Sequence, residues 1–211
     1  MSCEVIDLSA IRNAEIHREP YLHFSGSNFI KADAIAAIQA SYPNLHKAGW
    51  YPAHDMTFKG AFAKLMADLQ SPEIRAALTE KLGEELKSTA EFITIRKYSA
   101  AHEGGIHVDG KAKIGNFLVY LNDTWDGGHD GCLRVLRGKD SFDDYVAEVP
   151  PTTGTIFGFK PDDHSWHGHL PFVGERRAIQ VSWLRDEAAL EKKLRRHRWQ
   201  NAFKGMFKEH A

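Results

Sequence analysis

The pattern of hydrophobic positions divides the chain into a helical N-terminal part and a strand-rich C-terminal part. Apolar residues recur at spacings of three and four from Asn28 to Tyr42, which predicts an amphipathic helix that ends at Pro43. The same spacing recurs from Phe62 to Leu69. A third helix is predicted after Ser71-Pro72, a capping serine followed by proline, and Gly83 fits its C-cap.

From about residue 90 the pattern changes to that of strands. Five short runs are rich in β-branched and aromatic residues, and glycine- or proline-bearing turns separate them. These runs are Phe92–Tyr98, Asn116–Asn122, Cys132–Leu136, Thr155–Phe159 and Ala178–Trp183. A shorter run, Tyr21–Phe24, is compatible with one more strand, and Asp186–Lys208 returns to a helical pattern.

Helices first and strands later predict an α+β protein whose strands form a sandwich or barrel. The 211 residues suit a single domain, and a chain of this length can bury a core without disulfides. We predict three regions within that domain. Residues 1–90 give mainly helical support, residues 91–185 form the sheet core, and residues 186–211 form a C-terminal helix.

Composition and charge exclude several classes of function. The net charge of −1 gives no reason to expect nucleic acid as a partner, and the basic run Lys192–Arg198 is interpreted as a solvated helix face. The two cysteines, Cys3 and Cys132, are too far apart in sequence for a CxxC zinc site and too few for a disulfide framework. No apolar run could span a membrane and no signal peptide is evident, so we expect a cytoplasmic protein.

The most informative chemistry lies in Gly105–Gly110, where His107 and Asp109 are two residues apart. On an extended strand such residues point to the same side, so both can reach one metal ion. A second imidazole must come from elsewhere, and the cluster His164–His169 offers three. Two imidazoles and one carboxylate on one side of a metal are typical of non-haem Fe(II) oxygenases.

Several motifs, in the right order, resemble those of the 2-oxoglutarate/Fe(II)-dependent dioxygenases of the prolyl-4-hydroxylase type. His107-Val108-Asp109 resembles the HxD motif of this family. The segment from Tyr120-Leu121-Asn122 through Trp125 to Leu133 resembles its YLN…W…GGxL motif, and a histidine with proline four residues later follows at His167. The resemblance covers about Phe92 to Trp183 and implies a double-stranded β-helix, or jelly roll, with supporting helices.

The resemblance also implies an activity, cofactors and ligands. The family binds Fe(II) through residues that match His107, Asp109 and His167. Of the two other histidines in the cluster, His169 lies near His167 and His164 is interpreted as a loop residue. It converts 2-oxoglutarate and O2 to succinate and CO2 while it hydroxylates an unactivated C–H bond. Fe(II) and 2-oxoglutarate are therefore the expected cofactor and co-substrate, with ascorbate as an additional reductant.

The residue that binds the far carboxylate of 2-oxoglutarate is expected to be Arg176 or Arg177. Arg177 is an even number of residues from Trp183 and shares its side of a strand, and the family places the basic residue and this tryptophan together. We therefore predict Arg177, whose planar fork suits a carboxylate. Tyr120 is expected to donate its hydroxyl to the same carboxylate, and Tyr98 is a weaker candidate.

The substrate is harder to predict than the cofactors. A histidine at position 169, where the family often has a small apolar residue, and the lack of an evident peptide-binding domain argue against peptidyl proline. We expect a small molecule or an amino-acid side chain, free, carrier-bound or in a peptide, with Trp50–His54 as a candidate rim. The alternative is a non-catalytic jelly roll that binds a metal or ligand. The sequence gives no oligomeric state.

Overall fold

The computed structural model describes residues 3–83, residue 86 and residues 90–206, so the last five residues of the predicted C-terminal helix lie outside the described part. This part of the chain contains five α-helices and nine strands, with short 3-10 turns between some of them. The helices are α1 (Ser9–Arg12), α2 (Ile35–Ala40), α3 (Gly60–Leu69), α4 (Pro72–Leu82) and α5 (Glu187–Met206). The strands are β1 (His23–Gly26), β2 (Tyr51–Pro52), β3 (Ala90–Ser99), β4 (Lys113–Tyr120), β5 (Leu133–Leu136), β6 (Tyr145–Val149), β7 (Ile156–Phe159), β8 (His167–Gly168) and β9 (Gly174–Leu184).

The strands form two antiparallel sheets. The larger has the order β1-β7-β4-β9-β3-β2, and the smaller has the order β6-β5-β8. Their inner faces share one apolar cluster, to which β4 contributes Leu118 and β5 contributes Leu133 and Val135. Two antiparallel sheets packed face to face, with helices outside, agree with the expected α+β fold and its jelly-roll core.

Helices α3 and α4 cover the outer face of the larger sheet. Phe62 and Leu65 of α3 and Leu78 of α4 lie in one core cluster with Ile179 and Trp183 of β9. Helix α5 packs apolar residues against Phe92 and Leu184, which lie on the opposite face of the sheet. Strand β9 buries side chains on both faces, because one face packs against the helices and the other against the smaller sheet.

Local signals placed most of the elements correctly. Ser71 accepts a hydrogen bond from the Ile74 amide at 3.3 Å, as expected for an N-cap, and Gly83 ends α4 with a positive φ of 127°. The helix predicted from Asn28 is shorter, however, since α2 begins only at Ile35. Ile30 instead pairs with Ile6 in an isolated bridge, because a long-range pairing outweighs the local helical spacing.

Three strands escaped prediction. Strand β6 lies at the edge of the smaller sheet with Tyr145 and Val146 exposed, so it lacks the alternating pattern of a half-buried strand. Strands β2 and β8 have two residues each and are too short to leave a periodic signal. In the described part of the chain, no helix combines the length and apolar character needed to cross a bilayer.

Candidate active site

The centre of the candidate site is a pair of histidines that are far apart in sequence and locked together by their backbones. The His107 amide donates to the His167 carbonyl at 3.0 Å, and the His167 amide donates to the His107 carbonyl at 3.0 Å. This antiparallel bridge attaches the HxD segment to β8. The imidazole centroids are 4.4 Å apart as a result.

Both imidazoles have one ring nitrogen committed to the backbone. Nδ1 of His107 donates to the Gly105 carbonyl at 2.9 Å, and Nδ1 of His167 donates to the Ser165 carbonyl at 2.8 Å. Since a carbonyl oxygen only accepts, both rings carry their proton on Nδ1. The lone pair of Nε2 is therefore free on each ring, which is the tautomer that a metal ligand requires.

Asp109 completes the cluster with a carboxylate held in place by two donors. Lys113 Nζ lies 2.7 Å from Oδ1, and the Asn116 amide donates to Oδ2. The Ser182 hydroxyl in turn donates to the Asn116 side-chain oxygen at 2.5 Å. Burial raises the pKa of Asp109, but the Lys113 ammonium and then His167 outweigh it, so the net pKa lies below the ordinary value.

Within the described residues, His107, Asp109 and His167 form a group whose ligand atoms all lie within 4.8 Å of one another. Two neutral imidazoles and a carboxylate are a fitting donor set for Fe(II) with open coordination positions. Burial lowers the pKa of His167 to about 4, so this ligand is neutral at physiological pH. The residues therefore fit a mononuclear iron site.

A cavity of about 110 Å³ leads from the two histidines into the space between the sheets. Arg176 lies on its wall and is only 2% exposed. Its Nε donates to the Gly131 carbonyl at 2.8 Å, and Nη2 lies 3.5 Å from the Tyr120 hydroxyl. A guanidinium and a phenol thus lie together in the cavity whose wall also carries the two imidazoles.

The structure places the two arginines on opposite faces of β9, with Arg176 and not Arg177 on the cavity wall. Arg177 does share the side of β9 that carries Trp183, but that side faces the helices and not the cavity. Its guanidinium donates to Glu175 and to Gln39 of α2. Spacing placed Arg177 on the face of β9 that carries Trp183, as the structure shows. The arginine that lines the cavity lies on the other face.

Tyr120 lines the cavity, whereas Tyr98 does not. A β-bulge between Arg96 and Tyr98 interrupts the pairing of β3 with β9. The extra residue of the bulge lies on β9, and Tyr98 is not among the residues that line the cavity. Tyr98 is half-buried instead, with Lys97 Nζ 5.4 Å from its ring centroid.

The three candidate histidines occupy different places. His167 joins the metal cluster, His164 is exposed on its loop, and His169 is buried on the cavity wall. Nδ1 of His169 donates to the Leu170 carbonyl at 2.8 Å, which leaves Nε2 as an acceptor. Burial and then the nearby Arg176 lower the pKa of His169 to about 3, so its ring is neutral.

Sequence reasoning missed Arg96 and understated Trp50, which both line the cavity. The Arg96 guanidinium carbon lies 4.5 Å from the Trp50 ring centroid. Arg96 alternates with Ile93 and Ile95 in the strand pattern, which normally places a polar residue toward solvent. The strand pattern does not tell that helices cover the outer face of this sheet, so it gave no signal that Arg96 faces inward.

Comparison with known proteins relates the segment that carries this site to a known family. Residues 93–185 match the family model of the 2OG-Fe(II) oxygenase superfamily. No curated protein sequence matches the chain.

Solved structures of low sequence identity share the fold. A prolyl-4-hydroxylase from Pseudomonas putida is 18% identical, with 88% of this chain and 96% of that chain covered and a TM-score of 0.57. A prolyl 4-hydroxylase from Phytophthora capsici is 19% identical, with 77% and 58% covered and a TM-score of 0.55. A 2OG-Fe(II) oxygenase family oxidoreductase from Burkholderia pseudomallei is 14% identical, with 88% and 93% covered and a TM-score of 0.54.

Residues 93–185 therefore form a 2OG-Fe(II) oxygenase domain, as their motifs indicated, and the fold is of the prolyl-4-hydroxylase type. It is an Fe(II)- and 2-oxoglutarate-dependent oxygenase that couples decarboxylation of 2-oxoglutarate to hydroxylation. The alternative of a non-catalytic binding module is not retained.

Proposed function

We propose that His107, Asp109 and His167 bind the Fe(II) and that Arg176, with Tyr120, binds the distal carboxylate of 2-oxoglutarate. The observation that carries this assignment is that one cavity between the sheets has both imidazoles and the Arg176 guanidinium on its walls. Bound there, iron and 2-oxoglutarate supply the oxidising power for hydroxylation of an unactivated C–H bond.

The chain's own residues prepare the iron site before any ligand arrives. The backbone carbonyls of Gly105 and Ser165 select the tautomer in which Nε2 of each ring is the metal-binding atom, and Lys113 with Asn116 keeps the Asp109 carboxylate ionised and oriented. The site is therefore oriented for a cation by contacts within the chain.

Arg176 and Tyr120 supply the anion-binding end of the cavity. Burial raises the pKa of the Tyr120 hydroxyl, although Arg176 opposes this, so the group is a hydrogen-bond donor at neutral pH. A guanidinium and a phenol offer several N–H and O–H donors to one carboxylate. The fixed position of Arg176 against the Gly131 carbonyl sets the length of the 2-oxo acid that can reach the metal.

The substrate is proposed to enter from the opposite side of the metal cluster. Asp109 lies on the wall of a second cavity of about 270 Å³, whose other walls carry Lys111, Asp162, Asp163 and Arg185. These charged side chains favour a polar substrate, so we propose a small polar molecule or an amino-acid side chain, free, carrier-bound or in a peptide. A cytoplasmic location accords with this assignment, since Cys3 and Cys132 are both free thiols.

The test is an anaerobic titration of the purified protein with Fe(II) and then 2-oxoglutarate, followed by visible absorption. A weak metal-to-ligand charge-transfer band is expected, because 2-oxoglutarate binds such iron through two atoms. A His107→Ala variant should lose both the band and 2-oxoglutarate turnover, while His164→Ala should keep both. Ascorbate is expected to prolong turnover by keeping the iron reduced.

Two outcomes would contradict the assignment. One is turnover of 2-oxoglutarate in the His107→Ala variant at the wild-type rate. The other is wild-type protein that binds one equivalent of Fe(II) but gives no band with 2-oxoglutarate. With the band established, the substrate class is tested by measuring which polar small molecules and amino acids stimulate succinate release.

A further inference from the structure

Arg96 is a second buried guanidinium on the wall of the cavity that contains Arg176. Only 4% of Arg96 is exposed. In the larger sheet, Ala178 of β9 is paired with Arg96 on one side and with Tyr120 on the other. The small side chain of Ala178 leaves room above it for the side chains of Arg96 and Tyr120. Arg96 and Tyr120 therefore face the same interior space.

The orientation of Arg96 is fixed from behind. Its Nη2 lies 2.8 Å from Oε1 of Glu103, and the other oxygen of Glu103 accepts from the Ala100 amide at 2.9 Å. Trp50 stacks on the guanidinium. These contacts hold the side chain in one position without closing off its Nε–H.

The free donor of Arg96 has no acceptor in the described part of the chain. Nε is fully buried and makes no hydrogen bond. A buried N–H without an acceptor is unfavourable, and so is a pair of like charges in a confined space. Burial and then repulsion from Arg176 lower the pKa of Arg96 to about 10. An anion between the two guanidiniums would remove both penalties.

We propose that Arg96 is a second binding residue for the distal carboxylate of 2-oxoglutarate, which lies between the guanidiniums of Arg96 and Arg176. This inference rests on the proposed function of the cavity. It assigns Arg96 to recognition of the co-substrate, and it gives Glu103 and Trp50 the task of positioning Arg96.

The size of the cavity favours the co-substrate over a substrate carboxylate. About 110 Å³ is well below the volume of sites that accept drug-sized ligands, so the space suits one small molecule. The two metal-binding imidazoles are on its walls, as a 2-oxo acid bound to the iron requires. The larger cavity beside Asp109 is open to a substrate, and Arg96 is not among the residues that line it.

The experiment compares 2-oxoglutarate with 2-oxopentanoate, which has the same chain length but no distal carboxylate. Binding of each acid to the Fe(II)-loaded protein is measured anaerobically from the charge-transfer band. Because removal of one partner of a buried ion pair leaves the other uncompensated, the variant is Arg96→Met with Glu103→Gln. Arg137→Met, which removes an exposed arginine, is the matched control.

The double variant is expected to raise the Kd of 2-oxoglutarate by about tenfold to a hundredfold, as loss of a charge-assisted hydrogen bond implies. The Kd of 2-oxopentanoate should not change, and Arg137→Met should affect neither acid. An equal loss for both acids, or no loss for either, overturns the proposal. Loss of substrate affinity with unchanged 2-oxoglutarate binding would also overturn it and assign Arg96 to the substrate.

A single variant, Glu103→Gln, provides a test with the opposite sign. It removes a negative charge next to the anion site and retains Arg96, so 2-oxoglutarate should bind more tightly while 2-oxopentanoate is unaffected. A change of equal size for both acids, or no change for either, contradicts the proposal. Failure of wild-type protein to bind 2-oxoglutarate refutes the proposed function itself, whereas an Arg176→Met defect without an Arg96 defect refutes this inference alone.

Discussion

Two adjacent arginines on β9 lie in different environments. Arg176 is buried inside the sandwich with Tyr120, while Arg177 reaches across the outer face of the sheet to Gln39 of α2. Their guanidiniums are chemically identical, so only the face of the strand distinguishes the proposed ligand-binding role of Arg176 from the structural contacts of Arg177. The difference can be measured by replacing each arginine in turn.

Replacement of Arg176 by Met is expected to raise the Kd of 2-oxoglutarate by at least about thirtyfold, because the distal carboxylate loses a desolvated partner. Replacement of Arg177 by Met should leave this Kd unchanged and reduce the free energy of unfolding by about 1 kcal/mol, through loss of the contacts to Gln39. Anaerobic titration and urea denaturation measure the two quantities. A larger binding defect in the Arg177 variant would restore the ranking that strand spacing suggested.

Among the elements, β8 has only two residues and carries His167, a proposed metal ligand. It pairs with β5 and, through His167, with the HxD segment. Gly168 lets these backbones approach: a Cβ at this position would lie 2.7 Å from the Gly104 carbonyl oxygen and 3.0 Å from that of Gly105. The contact atoms belong to the backbone, so they cannot move aside as a flexible side chain would.

Gly168→Ala is therefore expected to push the HxD segment away from β8 and to weaken Fe(II) binding by about tenfold or more, since misplaced ligands and their supporting contacts have effects of this size. Gly138→Ala is the control, because a Cβ there meets nothing within 4 Å. Metal affinity is measured by competition with a chromogenic chelator. Equal affinities of the two variants would show that the close approach does not position the ligands.

At the scale of the whole molecule, the buried histidines connect stability to pH. His23 is 3% exposed, and its Nδ1 donates to the Tyr21 carbonyl at 2.8 Å. Burial lowers the pKa of His23 below the ordinary 6.5. The unfolded chain therefore binds more protons than the folded chain once the pH falls below about 6.5, and folding becomes less favourable.

The metal-free protein should accordingly lose stability as the pH is lowered from about 7 toward 5. Urea denaturation with a chelator present measures the free energy of unfolding at each pH. A His23→Gln variant should be less sensitive to pH over this interval than wild type, even if it is less stable at pH 7. An unchanged pH dependence in the variant would mean that His23 does not contribute to the effect.

The sequence predicted the layers of the fold better than it predicted the wall of the site. Apolar runs such as Phe92–Tyr98 and the cap at Ser71 are local signals, so the strands and α4 could be located from neighbouring residues alone. Residues His107, Asp109 and His167 were marked by their motifs. Arg96 was not, because alternation along a strand separates two faces without telling which face holds the ligand.

The positions of Arg176 and Arg177 relative to the cavity could not be predicted for a related reason. Counting along β9 grouped Arg177 with Trp183 correctly, but the helices that cover this side come from a distant part of the chain. Likewise the bulge next to Tyr98 depends on the pairing of β3 with β9. Tertiary packing decides such questions, and a single sequence carries little of it.

The reciprocal hydrogen bonds between His107 and His167 have a thermodynamic consequence. The two ligands belong to segments that meet only when the sheets are closed around the cavity, so the unfolded chain has no equivalent site. An ion that binds both rings ties the two segments together and stabilises the folded state by mass action, by about 2.7 kcal/mol when its free concentration is a hundred times its Kd. Occupancy of the iron site thus affects the stability of the whole molecule as well as its reactivity.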